Sequence, residues 1–128
     1  MDPRRTILVA RNPVAVSPSF RTFILEQLGR VVPQVRARSM FGGVGIYSGD
    51  RFFALIDNDT LYFKVDDSNR SDFTARQMEP FRPYGENGET MGYYEVPADL
   101  LVDPETLRPW AEKAIAVAGR KKKAKRLS

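Results

Sequence analysis

The side chains of this sequence able to do chemistry are its carboxylates, lysines and hydroxyls, because its 128 residues include no histidine and no cysteine. Without histidine the commonest general base and the commonest transition-metal ligand are missing. Without cysteine there are no thiolate nucleophiles, disulfides, zinc fingers or cysteine-held iron–sulfur clusters. Carboxylate or lysine catalysis and an oxygen-lined site for a hard cation remain. Asp57, Asp59, Asp66 and Asp67 fall at the ends of expected strands and are the candidates for such a site. They do not follow the Asp-x-Asp-x-Asp-Gly calcium pattern, and turn and cap duties account for them. Lys64 lies in an apolar run, where partial burial shifts a lysine pKa, although a packed stem with its ammonium in water is the simpler reading. We therefore expect no metal, no cofactor and no enzyme.

Gly42, Gly43 and Gly45 resemble a phosphate-cradling loop only superficially. They lack the Lys-Ser/Thr of a Walker loop and the spacing of a dinucleotide fingerprint, and no helix is expected to follow them. Glycines in a strand mark a bulge, a bend or a close backbone approach.

The aromatics Phe41, Tyr47, Phe52, Phe53, Tyr62, Phe63, Tyr93 and Tyr94 would suit a stacking platform for single-stranded nucleic acid if a basic groove accompanied them. Charge along the chain argues otherwise. Six basic residues, Arg120, Lys121, Lys122, Lys123, Lys125 and Arg126, crowd the C-terminal end, and residues 17–119 hold 11 basic against 15 acidic groups, a net of −4. The calculated pI of about 9.6 thus reflects the ends of the chain. Adjacent aromatics in a strand point to opposite faces, so one of Phe52-Phe53 and one of Tyr93-Tyr94 belongs to the core. An exposed one suits a protein partner or a homodimer contact, since interfaces enrich Tyr and Phe. The basic run offers weak, salt-sensitive contact with nucleic acid, or is a solvated, disordered tail.

These residues must be positioned by a small set of elements. Ser17-Pro18 is an N-cap followed by a first-turn proline, and Phe20, Phe23, Ile24, Leu28 and Val31 recur at helical spacing, so a helix is expected over about 18–30. Met40–Tyr47, Arg51–Ile56 and Thr60–Val65 read as consecutive strands joined by tight turns. A short helix follows from Ser68 as N-cap to about Gln77, with Pro80 beyond it. Phe81–Tyr84 and Met91–Val96 flank an Asn-Gly turn and read as a second hairpin. Asp103-Pro104 opens a last helix with its apolar stripe on Leu107, Trp110, Ala111, Ala114, Ile115 and Ala118, ending at Gly119. The fold class is α+β: a largely antiparallel five-stranded sheet with helices packed on it, in the order α-β-β-β-α-β-β-α. Three regions are expected: an N-terminal extension 1–16, a domain 17–119 and a basic tail 120–128. Apolar stretches such as Ile7–Ala10 fall far short of the roughly 20 residues a membrane span needs, and the first 16 residues lack a long enough apolar stretch for a signal peptide, so the expected location is cytoplasmic, with no membrane partner.

The segment Met40-Phe41-Gly42-Gly43-Val44-Gly45-Ile46-Tyr47 resembles the opening motif of the TfoX/Sxy N-terminal domain family. The likeness continues through Phe53-Ala54-Leu55-Ile56, Leu61-Tyr62-Phe63-Lys64-Val65-Asp66, Asn69-Arg70, Pro80-Phe81 and Met91-Gly92-Tyr93-Tyr94-Glu95-Val96-Pro97, and ends with Trp110 and the alanines after it. The matches run in order over about residues 19–118. The resemblance implies a single small α+β domain from a family of regulators of bacterial natural competence, in which a helical second domain follows the first. It implies structural duties for the motif residues and a regulatory or interaction module acting on an unidentified protein partner. The rival is a small-ligand binder or minor enzyme using carboxylates or Lys64 in a pocket.

Overall fold

The computed structural model describes residues 16–40, 42–83 and 92–127, with side chains described as far as Arg120. The first helix, α1 (Pro18–Gly29), starts as its sequence dictates: the Ser17 hydroxyl accepts from the Phe20 amide at 3.2 Å, and Pro18 occupies the first turn. Its inner face buries Ile24 and Leu28. Four strands follow, β1 (Val35–Met40), β2 (Gly43–Ser48), β3 (Arg51–Asp57) and β4 (Thr60–Lys64), then a one-turn helix α2 (Arg70–Thr74), a short strand β5 (Tyr93–Glu95), a second short helix α3 (Ala98–Leu101) and the long helix α4 (Pro104–Leu127). The five strands form one antiparallel sheet in the order β1-β2-β3-β4-β5. The expected α+β class and strand number hold.

One strand sits elsewhere than expected. Met40–Tyr47 is not continuous, because Gly42 adopts φ +83° and turns the chain between β1 and β2. The element before that turn, Val-Arg-Ala-Arg-Ser-Met, is an edge strand whose two arginines mask its alternation. The second hairpin expected from Phe81–Tyr84 and Met91–Val96 is reduced to a single antiparallel bridge, Pro80 with Tyr94, where the Phe81 amide donates to the Tyr93 carbonyl at 2.8 Å and the Glu95 amide to the Glu79 carbonyl at 3.0 Å; residues 81–83 form no strand, and β5 takes its regular pairing from β4. The Gly85–Glu89 turn and Phe41 lie outside the described residues. The helix expected from Ser68 starts one residue later, after Asn69, and no side chain caps it: the Ser68 amide and hydroxyl both donate to Asp66, and the Asn69 side chain bonds Lys64 and Asp66. Gly119 does not stop α4, since its φ is not left-handed; its missing Cβ instead makes room for the Arg51 guanidinium, which would lie 2.8 Å away.

The β3–β4 turn shows local chemistry dictating structure. Asn58 and Asp59 both adopt φ +52°, the mirror-image turn whose twist matches a two-residue hairpin and which Asn and Asp tolerate best. On β3 a bulge opposite Ile46-Tyr47 breaks the alternation. It sends both Phe53 and Ala54 into the helix-facing core, each fully buried, while Phe52 stays on the opposite face. Helices α1 and α4 cover the first face with Ile24, Leu28, Leu107, Ala111 and Ala114. Phe73 of α2 closes its end, edge-on to Trp110 at 4.8 Å between ring centroids.

Candidate interaction face

The sheet's second face carries no helix among the described residues, and strand pairing fixes what it shows. Residues paired across an antiparallel ladder share a face. Arg36 pairs Tyr47, Arg38 pairs Gly45, Gly45 pairs Leu55, Leu55 pairs Tyr62, Tyr62 pairs Glu95, and Lys64 pairs Tyr93. All of these lie opposite the core. β3 is therefore apolar on both sides, which a strand with one solvated face is not.

Two glycines shape this face. A Cβ on Gly43 would stand 2.6 Å from the Ile56 carbonyl oxygen, so the close approach of β2 to β3 requires glycine there. A Cβ on Gly45 would meet the Met40 methyl at 2.5 Å and the Phe52 ring at 3.1 Å; Gly45 is the floor on which Met40 lies. Beside it runs a groove of about 580 Å³ lined chiefly by Met40, Phe52, Leu55, Phe81, Pro83 and Tyr93, with Asp57 also in its lining. Burial raises the Asp57 pKa above the usual carboxylate range. Phe81 packs on Tyr62 at 4.8 Å, and burial, then the charges of Glu95 and Asp57, push the Tyr62 phenol up.

Adjoining the groove through Phe52 and Tyr93 runs a stripe spanning all five strands. Arg36 lies over Tyr47 at 4.7 Å, Tyr47 stacks on Phe52 at 5.0 Å, Phe52 meets Tyr93 at 5.8 Å, and the Lys64 ammonium sits 4.5 Å from the Tyr93 centroid and 3.1 Å from its hydroxyl. Burial, then the nearby Tyr47, push the Tyr93 pKa up to about 12. These rings are engaged with one another and with two cations, which leaves little ring surface for stacking a base. Lys64 does not line the groove, whose lining holds one acid among the described residues.

The remaining residues singled out from sequence serve the frame. Asn69 is 1% exposed; its amide donates to the Lys64 carbonyl at 3.1 Å and its carbonyl accepts from the Asp66 amide at 2.9 Å, locking the end of β4 to α2. Arg70 pairs with Asp67. Pro97 precedes the first turn of α3. Asp59 accepts from the Ser17 amide at 2.7 Å. Asp66 is held below the usual carboxylate range by the Ser68 hydroxyl first and then by Arg120, whose guanidinium reaches Asp66 at 3.2 Å and Ser68 at 2.7 Å. The four aspartates proposed as cation ligands thus have separate duties, and no group of three candidate ligands occurs among the described residues. Of the basic run, Arg120 is tied to the body. Lys121, Lys122, Lys123, Lys125 and Arg126 continue the helical backbone of α4, where a disordered tail was one of the two readings of this run; their side chains lie outside the described residues.

The TfoX N-terminal domain model matches residues 26–118, a span that contains β1 to β5 and every residue of the groove. The chain belongs to this family. No curated protein matches the chain. As a TfoX N-terminal domain, it is a regulatory, competence-type module of a family that is generally non-enzymatic. Arg120 and the lysines after it lie beyond the matched span, whereas the groove lies inside it. No helix among the described residues is long and apolar enough to cross a membrane. Leu55 and Phe81 enter the sequence reading only as members of expected strands and of the family motif, and Arg36 and Pro83 are not singled out there. The signal for Leu55 is the two-sided apolar character of Arg51–Asp57.

Proposed function

We propose that this TfoX N-terminal domain is a non-catalytic module that regulates by binding a protein on its helix-free face, and that the basic end of α4 adds weak, salt-sensitive contact with nucleic acid. The observation carrying this reading is the apolar groove beside the aromatic stripe: a partly open, preformed concavity rich in Phe, Tyr and Met, the residue types that protein interfaces enrich. A catalytic site needs convergent titratable groups, and a lining with one acid among the described residues, with Lys64 turned to Tyr93, speaks against the rival small-ligand enzyme.

The test is affinity capture by the full chain from cell extract, with and without nuclease, beside a chain ending at Arg120. Protein captured equally after nuclease treatment, by both chains, supports the reading. Capture lost on nuclease treatment contradicts it and assigns the function to nucleic acid. Removal of residues 121–128 is expected to abolish low-salt retention on DNA or RNA while leaving the unfolding midpoint unchanged; unaltered retention would exclude the helix end as that contact.

A further inference from the structure

The sheet has one further surface, its outer edge. β1 is a terminal strand of the sheet, six residues long. The Gly49 amide donates to the Gln34 carbonyl at 2.9 Å, which sets the phase of the antiparallel ladder. Alternate residues of β1, namely Arg36, Arg38 and Met40, bond to β2, and the backbone N–H and C=O groups of Val35, Ala37 and Ser39 point away from the sheet. Such a row of outward groups is a template for another strand.

Three guanidinium groups flank this row. Arg36 and Arg38 stand on the helix-free side, opposite Tyr47 and Gly45, and both residues are exposed. Arg21 of α1 donates to the Ser39 hydroxyl at 3.1 Å on the other side. None of the three forms an ion pair among the described residues. Like charges directly opposite one another destabilise a strand pair and opposite charges stabilise it. A second copy pairing β1 with β1 would set arginines against arginines. The chain's own first 16 residues carry Arg4, Arg5 and Arg11 against one acid, and would be repelled as well. An extended segment with Asp or Glu at alternate positions meets no such penalty.

We propose that the outer edge of β1 receives an acidic, extended segment of a protein partner as a sixth strand. Main-chain bonds to Val35, Ala37 and Ser39 supply affinity, while carboxylates opposite Arg36 and Arg38 select the partner and fix its register. The inference rests on the reading of the chain as a protein-contact module, and it extends the helix-free face by one strand.

The experiment uses the isotope-labelled full chain and two blocked hexapeptides, (Glu-Val)₃ and (Lys-Val)₃. In the free chain the amides of Val35, Ala37 and Ser39 are expected to exchange with solvent faster than those of Arg36 and Arg38. Slow exchange there would show that the chain's own arm or a second copy already covers the edge, and would overturn the proposal. Added (Glu-Val)₃ is expected to protect these three amides, whereas (Lys-Val)₃ leaves them unchanged. The double variant R36E/R38E is expected to bind (Glu-Val)₃ about tenfold more weakly and to accept (Lys-Val)₃ instead. Equal response to both peptides, or no response at the three amides, refutes the edge as the site independently of how the variant folds. If R36E/R38E captures protein from nuclease-treated extract as well as the parent, the edge proposal falls and the module reading stands. If the parent captures none, the module reading falls by itself.

Discussion

Replacing Asn69 with alanine removes the clamp that joins β4 to α2 and isolates its energetic weight. The side chain is buried and makes two hydrogen bonds to backbone groups, one donated to the Lys64 carbonyl and one accepted from the Asp66 amide. A net hydrogen bond contributes about 1 kcal/mol, and leaving a buried partner unsatisfied costs about 1 to 3 kcal/mol. Both backbone partners are only partly buried, so the low end applies to each, and Asn69→Ala should cost about 2 kcal/mol in all. With an m-value of about 2 kcal/mol per molar urea, that lowers the unfolding midpoint by about 1 M. Asn69→Asp keeps the acceptor for Asp66 but sets a carboxylate against the Lys64 carbonyl, so it should cost at least as much as alanine at neutral pH. The assay is equilibrium urea unfolding followed by tryptophan fluorescence, since the one tryptophan, Trp110, packs edge-on against Phe73 of α2. An alanine variant within about 0.5 kcal/mol of the parent, the range of an ordinary surface substitution, would refute the clamp.

Two further outcomes follow from the same geometry. Gly43→Ala should destabilise more than Gly45→Ala by about 1 kcal/mol or more, because the first Cβ meets the backbone oxygen of Ile56 and the second meets the movable end of Met40; equal unfolding midpoints would contradict the assigned contacts. Tyr93 holds its proton to about pH 12 when folded, whereas an unfolded tyrosine releases it near 10. The folded state therefore binds more protons between those values, and stability should fall as pH rises from about 10 towards 12. Tyr93→Phe should flatten that part of the pH profile, and an unchanged slope would sink the assignment.

Much of this fold is written locally. Ser17-Pro18 fixes the start of α1, Asn58-Asp59 fixes the β3–β4 turn, and the spacing of Leu107, Ala111, Ala114 and Ala118 fixes the buried stripe of α4. Where the structure departs from the local signals, the reasons are equally physical. β1 was hidden because its outward residues are arginines on an edge strand, so its alternation lacks the apolar contrast that marks a half-buried strand. Gly119 looked like a helix stop, yet what it accommodates is Arg51, a residue 68 positions away. The family motif was legible as a set, and the geometry gives its glycines distinct tasks: a left-handed turn at Gly42, a close strand approach at Gly43 and a seat for Met40 at Gly45. The groove was not legible, because it forms only when β3 and the Phe81–Pro83 segment meet, and nothing local in either announces the other. The charge division is read from the sequence alone: the groove lies within the acidic residues 17–119, and the basic run continues α4 from Arg120.

The claim that the helix-free face binds a protein is tested most directly by Leu55→Glu in the full chain. Leu55 is half-buried in the lining of the groove, and a charge there opposes an apolar partner while leaving the helix-facing core untouched. Capture from nuclease-treated extract should fall at least tenfold relative to the parent, with the unfolding transition still cooperative. A folded Leu55→Glu variant that captures the same protein as strongly as the parent would contradict the account.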